Sequence, residues 1–210
     1  MLGNKPAGIW REIAFLTGGV SVDKKTQREA AITARRALSP EERERRSEAI
    51  CRRLMALPEI QAAGTLFSYL ATAEEANLSA FHRWAWARGK TLAFPVIGED
   101  GKMDALAPTE ENAIETGRFG IRSPIPGKSR LVLPEEIDLV LVPCAAFGDA
   151  GARLGMGGGY YDRYLPRCES ALRLGVAFEC QRVESVAMCP HDAALDMAVT
   201  EAGIYRFRRL

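Results

Sequence analysis

The stretch between residues 138 and 165 constrains the fold most strongly, because it joins a buried strand to a glycine-rich loop and a helix. Residues 139–142 (LVLV) form a short, β-branched apolar run, which is typical of a strand covered on both faces in an α/β sheet. Four glycines then fall within positions 155–159, and residues 160–165 predict the beginning of a helix. A glycine loop at a helix N-terminus indicates an anion site, because its backbone N–H groups can approach and bind the anion.

The residues beside the loop favour phosphate binding over a flexible turn, which is the alternative for any glycine cluster. Arg153 precedes the loop and Arg163 follows it, so both flanks are cationic. Asp162 places a carboxylate in the first turn of the predicted helix, where a Mg²⁺ ion can bind. The loop matches neither of the best-known phosphate motifs. No Gly-Lys-Ser/Thr ends it, and Tyr160 stands where a G-x-G-x-x-G motif beginning at Gly155 needs its last glycine.

The loop and its flanks resemble the signature of the 5-formyltetrahydrofolate cyclo-ligase family, whose members are also called 5,10-methenyltetrahydrofolate synthetases. The matching residues are Pro143, Phe147, Arg153, Leu154, Gly155, Gly157, Gly159, Tyr160, Tyr161 and Asp162. Residues 119–124 (FGIRSP) are similar to a second family motif, and the resemblance covers about residues 24–205. The chain departs from the family at Met156, where an arginine is usual, and at Ser123, where a glutamate is usual.

The resemblance implies an enzyme that converts 5-formyltetrahydrofolate to 5,10-methenyltetrahydrofolate with ATP and Mg²⁺, releasing ADP and phosphate. In that reaction ATP phosphorylates the formyl oxygen, N10 attacks the activated carbon, and phosphate leaves. No catalytic protein nucleophile is expected, because positioning and electrostatic stabilisation meet the demands of phosphoryl transfer. A family member that binds folate or nucleotide without turnover is the alternative.

The resemblance also implies the site residues. ATP-binding residues are expected at Lys24, Arg28, Arg153, Leu154, Gly155, Met156, Gly157, Gly158, Gly159, Tyr160 and Tyr161. Folate-binding residues are expected at Leu70, Glu75, Met156, Gly157, Gly158, Gly159 and Tyr160. The Mg²⁺ ligands are expected to be Asp162 and Asp192, directly or through water.

Local interpretations compete with several of these roles. Lys24 and Arg28 lie in the first turns of a predicted helix over residues 24–37, where cations oppose the helix dipole. These two cations either belong to a solvated basic surface or bind an anion from outside the helix. Glu75 also fits as the reciprocal partner of Thr72 in a capping box, which predicts a helix over residues 73–88.

Three other residues have similar alternatives. Asp162 suits a helix first turn on dipole grounds, Asp192 suits a turn, and Tyr160 suits an aromatic anchor for the loop. Cys144 and His191 suggest a thiol hydrolase as a competing function class, but their spacing matches no known motif.

The composition narrows the class of protein. The net charge of +1 argues against bulk binding to nucleic acid or to an anionic membrane. The resemblance implies small-molecule partners, folate and ATP. Five cysteines without a C-x-x-C pair indicate a reducing compartment, and a cytoplasmic monomer is expected. Residues 1–22 are interpreted as an N-terminal extension, since Arg11 and Glu12 interrupt their apolar run and a signal peptide is not indicated.

The remaining pattern alternates helices and strands along residues 23–210. A capping box at Ser39 with Pro40 predicts a helix that ends at Pro58. Strands are predicted at 65–71, 90–97, 103–107, 139–142, 172–179 and 199–207, a weak helix at 109–116 and a linker at 124–134. The sequence therefore predicts a single three-layer α/β domain, with a mixed, mostly parallel sheet, helices on both faces and the ligand at the carboxyl ends of central strands.

Overall fold

A computed structural model describes residues 23–110, 112–117 and 122–207 of the 210-residue chain. The expected extension over residues 1–22 and positions 119–121 of the second family motif lie outside these ranges. The described helices are α1 (Lys24–Arg36), α2 (Pro40–Ala56), α3 (Pro58–Ala62), α4 (Ser79–Trp86) and α5 (Tyr160–Tyr164).

The described strands form one large sheet and two small ones. They are β1 (Thr65–Phe67), β2 (Thr91–Ile97), β3 (Met103–Pro108), β4 (Ile114–Thr116), β5 (Arg122–Pro124), β6 (Ser129–Val132), β7 (Leu139–Pro143), β8 (Ala146–Gly148), β9 (Arg153–Leu154), β10 (Leu172–Val176), β11 (Arg182–Val183), β12 (Met197–Val199) and β13 (Ile204–Arg206).

The large sheet has the strand order β13-β12-β10-β7-β1-β2-β3-β6. Its five central strands, from β12 to β2, run parallel, and the pairings beyond them are antiparallel. From β1 the chain first adds β2 on one side, and later returns to add β7, β10 and β12 on the other. The boundary between β1 and β7 is therefore a topological switch point, where α/β sheets open a crevice at the strands' carboxyl ends.

Alternating side chains of the central strands build two cores. Leu66, Leu139 and Leu141 face one side and pack with α2 and α4 through residues such as Ile50 and Phe81. Phe67, Val140 and Val142 face the other side, where Tyr164 and Leu165 of α5 and the following turn cover them. All ten residues are buried, so both faces of the sheet are covered. The predicted mixed α/β fold with helices on both faces is confirmed.

Local signals account for the two long helices. The Asp23 side chain accepts hydrogen bonds from the backbone N–H groups of Lys25 and Thr26 and caps α1. Ser39 forms the predicted capping box with Glu42, and α2 ends two residues before Pro58. Helix α1 packs beside β8, which pairs with β9 and β11 in a small sheet under the glycine loop. No helix within the described ranges is long and apolar enough to cross a membrane.

Five of the secondary-structure predictions are wrong. The helix predicted at 73–88 begins only at Ser79, and the strand predicted at 65–71 ends at Phe67. The weak helix predicted at 109–116 contains strand β4 instead, which pairs with β5. The predicted linker contains β6, at the edge of the large sheet. The strand predicted at 199–207 is a hairpin, because Thr200 and Gly203 form a turn between β12 and β13.

Candidate active site

A cavity of about 890 Å³ opens at the carboxyl ends of β1 and β7, at the topological switch point. Strand β1 leads into Tyr69 and Leu70, and β7 into Cys144, and all three residues line the cavity. The residues predicted to bind ATP, folate or Mg²⁺ also line it: Lys24, Arg28, Leu70, Glu75, Arg153, Leu154, Gly155, Met156, Gly157, Gly158, Gly159, Tyr160, Tyr161, Asp162 and Asp192. The fold thus brings together residues from widely separated segments.

The glycine loop requires glycine at two positions for conformational reasons. Gly157 has φ +104° and Gly159 has φ +66°, both in the region that L-residues with side chains rarely adopt. Gly159 is also the residue at which the chain enters α5. A side chain at Gly158 would begin with a Cβ only 2.8 Å from the Tyr160 ring. The loop therefore keeps its backbone exposed to the cavity.

Two arginines hydrogen-bond to this loop, and a third lies behind it. The Nε of Arg28 donates to the Gly155 carbonyl at 2.7 Å, and Nη1 of Arg163 donates to the Gly158 carbonyl at 3.1 Å. The Arg163 guanidinium also lies 5.2 Å from the centre of the Tyr160 ring. Arg153 is almost fully buried behind the loop. These cations give the loop a positive field that suits phosphate groups.

Each predicted Mg²⁺ ligand is ion-paired with a predicted phosphate-binding cation. Oδ1 of Asp162 accepts hydrogen bonds from Nη2 of Arg153 at 2.5 Å and from the Ala193 N–H at 3.1 Å. Oδ2 of Asp192 accepts from Nζ of Lys24 and from the Cys189 N–H. Burial opposes ionisation of Asp192, but the hydrogen bonds from Lys24 and Cys189 outweigh it and lower its pKa.

Asp162 and Asp192 supply only part of a Mg²⁺ coordination shell, so a bound molecule must supply the rest. The two carboxylates are the hard oxygen donors that Mg²⁺ prefers. Within the described ranges, however, no group of three or more His, Cys, Asp or Glu side chains can hold a metal ion. Asp162 and Asp192 therefore suit an ion whose remaining ligands are phosphate oxygens and water.

Glu75, a predicted folate residue outside the glycine loop, is held in place by a local turn. Oε2 of Glu75 accepts hydrogen bonds from N and Oγ1 of Thr72, at 3.0 and 3.1 Å. The predicted capping interaction thus forms in a turn rather than at a helix, and it leaves Glu75 lining the cavity. The Tyr161 ring lies against Phe67, and its hydroxyl is buried without a hydrogen-bond partner in the described structure. Burial raises the pKa of Tyr161, so the hydroxyl is a donor at neutral pH.

The geometry argues against a thiol hydrolase. Cys144 and His191 both line the cavity, but burial raises the pKa of the Cys144 thiol to about 12. Its Sγ instead donates to the Val142 carbonyl at 3.3 Å. A thiol of this kind carries almost no thiolate near neutral pH and is a poor nucleophile.

The sequence did not single out the apolar wall of the cavity. Val96 and Ile97 at the end of β2 and Met103 at the start of β3 line it, beside Tyr69. Apolar strand residues carry no chemical signature of their own. Their only signal was the position of β2 next to β1, which becomes evident once the strand order is known.

Comparisons with known proteins identify relatives of this chain. The sequence model of the 5-formyltetrahydrofolate cyclo-ligase family matches residues 20–201. The 5-formyltetrahydrofolate cyclo-ligase of Escherichia coli strain K12 is 30% identical over 178 residues, which cover 82% of this chain and 97% of that protein. The mouse protein of the same name is 28% identical over 177 residues, covering 79% of this chain and 87% of the relative.

A solved structure shares both the fold and the sequence pattern. The 5,10-methenyltetrahydrofolate synthetase of Aquifex aeolicus superposes with a TM-score of 0.79 and 32% identity, over 89% of this chain and 93% of that chain. The family match spans most of the sequence, and the glycine loop, the switch-point cavity and the predicted site residues lie within it. The chain therefore belongs to the 5-formyltetrahydrofolate cyclo-ligase family of enzymes.

Proposed function

We propose that this protein catalyses the ATP- and Mg²⁺-dependent conversion of 5-formyltetrahydrofolate to 5,10-methenyltetrahydrofolate, with release of ADP and phosphate. The observation that carries the proposal is the convergence of all the expected ATP, folate and metal residues on one cavity. A cavity of about 890 Å³ is within the range of small-molecule sites, and its openness to solvent lets two substrates enter.

The basic side of the cavity binds the nucleotide phosphates in this proposal. Arg28 reaches from α1 to the glycine loop, Lys24 reaches from the same helix to Asp192, and Arg153 pairs with Asp162 just after the loop. The backbone N–H groups of residues 155–161 add neutral donors. Together they neutralise the charge of the transferring phosphoryl group and fix its direction, which is the main contribution that a protein makes to phosphoryl transfer.

Asp162 and Asp192 hold the Mg²⁺ ion, which when bound neutralises phosphate charge. The folate side consists of Leu70, Glu75 and Tyr160, with the apolar wall next to them. The partly apolar lining excludes water from the phosphorylated formyl group, which water would otherwise hydrolyse before N10 attacks. The chain supplies no nucleophile in this scheme, in keeping with the protonated, buried Cys144.

The proposal extends to the setting of the reaction. The partners are the small molecules folate and ATP, and neither nucleic acid nor membrane takes part. The near-neutral net charge of +1 supports the absence of nucleic acid and membrane partners, and the unpaired cysteines support a cytoplasmic location. The protein acts as a monomer in this proposal.

Release of ADP tests whether the protein turns over or only binds. The purified protein is incubated with ATP and Mg²⁺, with and without 5-formyltetrahydrofolate, and ADP is measured over time. We expect ADP only in the presence of the folate, and much less from Asp162→Asn. Binding of both ligands without ADP release would support the non-catalytic alternative and contradict the proposal.

A further inference from the structure

Helix α1 contacts the expected ATP site with one end and the turn that carries Glu75 with the other. Near its N-terminus, Arg28 donates to the Gly155 carbonyl and Lys24 pairs with Asp192. The helix has 13 residues and therefore extends roughly 20 Å along its axis. One rigid element thus connects two segments of the cavity wall that are expected to bind different substrates.

The C-terminal end of α1 is joined to this turn through Glu74, whose carboxylate lies between two arginines. Nη2 of Arg35 donates to Oε2 of Glu74 at 3.0 Å, and Nε of Arg36 donates to Oε1 at 2.8 Å. The hydrogen bonds from Arg36 and Arg35 lower the pKa of Glu74, so this carboxylate is ionised at neutral pH. The Arg35 side chain is only 3% exposed, so its pair with Glu74 is better shielded from water than a surface ion pair.

Glu74 lies beside the cavity rather than in its wall. Of these two neighbouring residues, Glu75 lines the cavity and Glu74 does not. The turn is closed by Thr72, whose N–H and hydroxyl donate to the Glu75 carboxylate and whose carbonyl accepts from the Glu75 N–H. A shift of Glu74 would therefore carry the adjacent Glu75 with it.

Few apolar contacts hold α1 on the body of the protein. Of its 13 residues, only Ala31 and Arg35 are buried. Ala31 packs in a small cluster with residues of β8 and β9 such as Ala146 and Leu154. The polar contacts at the two ends of the helix therefore carry much of its attachment. An element with so little buried apolar surface is weakly held, so its position responds to what binds at either end.

We propose that Glu74 is a positioning residue that couples the binding of ATP to the binding of folate through α1. The inference rests on the proposed function, because it concerns the two ligands of that function. A nucleotide that binds Lys24 and Arg28 fixes the position of α1, and the two arginines at the other end then fix the turn through Glu74. Folate then meets a Glu75 that is already in place, so each ligand should bind more tightly in the presence of the other.

Equilibrium binding to the full-length protein measures this coupling without turnover. In the presence of Mg²⁺, 5-formyltetrahydrofolate is titrated by calorimetry with and without saturating β,γ-imido ATP, which resists transfer of its terminal phosphoryl group. The coupling factor is the ratio of the two dissociation constants, and titration in the reverse order must give the same factor. Glu74→Gln is compared with Glu59→Gln, because Glu59 also pairs with an arginine, Arg206, and is partly exposed, but lies outside the cavity.

The coupling factor should depend on Glu74 alone. Wild type and Glu59→Gln should show a factor of at least about five, whereas Glu74→Gln should show about two or less. Glu74→Gln should bind the imido nucleotide alone within about twofold of wild type, since it keeps Lys24 and Arg28. A purely structural role for Glu74 would change the affinity for a single ligand and leave the coupling factor as it is.

Three outcomes would overturn the proposal. They are a factor near one in wild type that binds both ligands, an unchanged factor in folded Glu74→Gln, and an equal loss in Glu59→Gln. Thermal unfolding shows whether each variant is folded. If Glu74→Gln does not fold, the double variant Arg35→Met/Glu74→Gln removes the buried cation together with its partner, and it should show the same reduced factor. Wild-type protein that fails to bind one or both ligands would instead contradict the proposed function itself.

Discussion

Substitution of Met156 by arginine tests whether this chain lacks a contact that the family usually has. Met156 lies between Gly155 and Gly157, lines the cavity, and is 59% exposed. An arginine at such a position meets no packed neighbour, so a steric penalty is not expected. Of the two arginines that could replace the missing one, Arg163 already binds the Gly158 carbonyl and stacks on Tyr160. One donor of Arg163 is therefore already used, although its charge, like that of Arg122, the other candidate, is present in the cavity wall.

The solvent exposure of Met156 determines how much an arginine at this position should lower the KM. A charge-assisted hydrogen bond contributes about 1.5–3 kcal/mol when it is shielded from water, but an exposed ion pair contributes only about 0–1 kcal/mol. For a position more than half exposed we take about 0.5–1 kcal/mol, which corresponds to a KM lower by about two- to fivefold. We expect Met156→Arg to lower the KM for ATP or for 5-formyltetrahydrofolate by this factor at low ionic strength, and by less at high ionic strength.

Steady-state kinetics at two salt concentrations measure the effect. Ile204→Arg is the control, because Ile204 is 42% exposed on β13 and lies outside the cavity, so it adds the same charge elsewhere. No gain at either salt concentration would refute the idea of a lost contact. An increase in KM would mean that Arg122 or Arg163 already fills the place and that like charges are crowded together.

Four further predictions concern single positions. Asp162→Asn should lower turnover at least about a hundredfold, since it removes a metal ligand. It should lower the free energy of unfolding by only about 1–3 kcal/mol, because a buried arginine loses its partner; kinetics measure the first loss and chemical denaturation the second. Lys24→Ala should raise the KM for ATP and leave the KM for folate nearly unchanged. Arg28→Ala should raise the KM for ATP further, because a guanidinium contacts two oxygens. Substitution of the exposed Lys25, which lies outside the cavity, is the control. Cys144→Ala should keep its activity at neutral pH, since the thiol has a pKa of about 12, and a pH-dependent loss of activity would revive the thiol hydrolase. Burial lowers the pKa of His82 from 6.5 to about 3, so between these pH values the unfolded chain takes up a proton that the folded chain does not. The free energy of unfolding should therefore fall as the pH drops from about 6.5 towards 3, by up to about 1.4 kcal/mol per pH unit. His82→Gln should remove this part of the acid sensitivity, as measured by urea titrations at several pH values.

The sequence predicted the centre of the sheet better than its edges. Strand β7 is buried on both faces, so its residues form an unbroken apolar run that can be recognised without the structure. Strand β6 (SRLV) lies at an edge, where Leu131 is 49% exposed and the strand pairs on one side only. A segment of this kind has no clear periodicity of apolar residues, and its sequence therefore predicts a linker. Its β-structure comes from pairing with β3, a contact between distant residues.

Local hydrogen bonds misled the prediction in two places. Thr72 and Glu75 bind each other as a capping box would, but they do so in a turn. Helix α4 begins only at Ser79, whose N–H donates to the Asn77 side chain. Thr200 accepts hydrogen bonds from the N–H groups of Ala202 and Gly203 through Oγ1, which closes a tight turn where a continuous strand was predicted. The same polar side chains stabilise both kinds of local structure, and tertiary contacts decide between them.

The sequence predicted which residues line the candidate site, but not which of them form ion pairs with each other. The glycine loop and its flanks identify the family, and the family supplies the remaining residues. The pairing of Lys24 with Asp192 joins residues that are far apart along the chain, and their two segments come together only in the folded protein. No motif in the sequence reveals that pairing.

Formation of 5,10-methenyltetrahydrofolate is the most direct test of the proposed function. The product is followed by its absorbance in reactions from which ATP, Mg²⁺, 5-formyltetrahydrofolate or the protein is omitted in turn, and ADP is measured in the same samples. We predict product only in the complete reaction, with one ADP for each product molecule. Product without ATP, ADP in large excess over product, or no product from folded protein that binds both substrates would contradict the account.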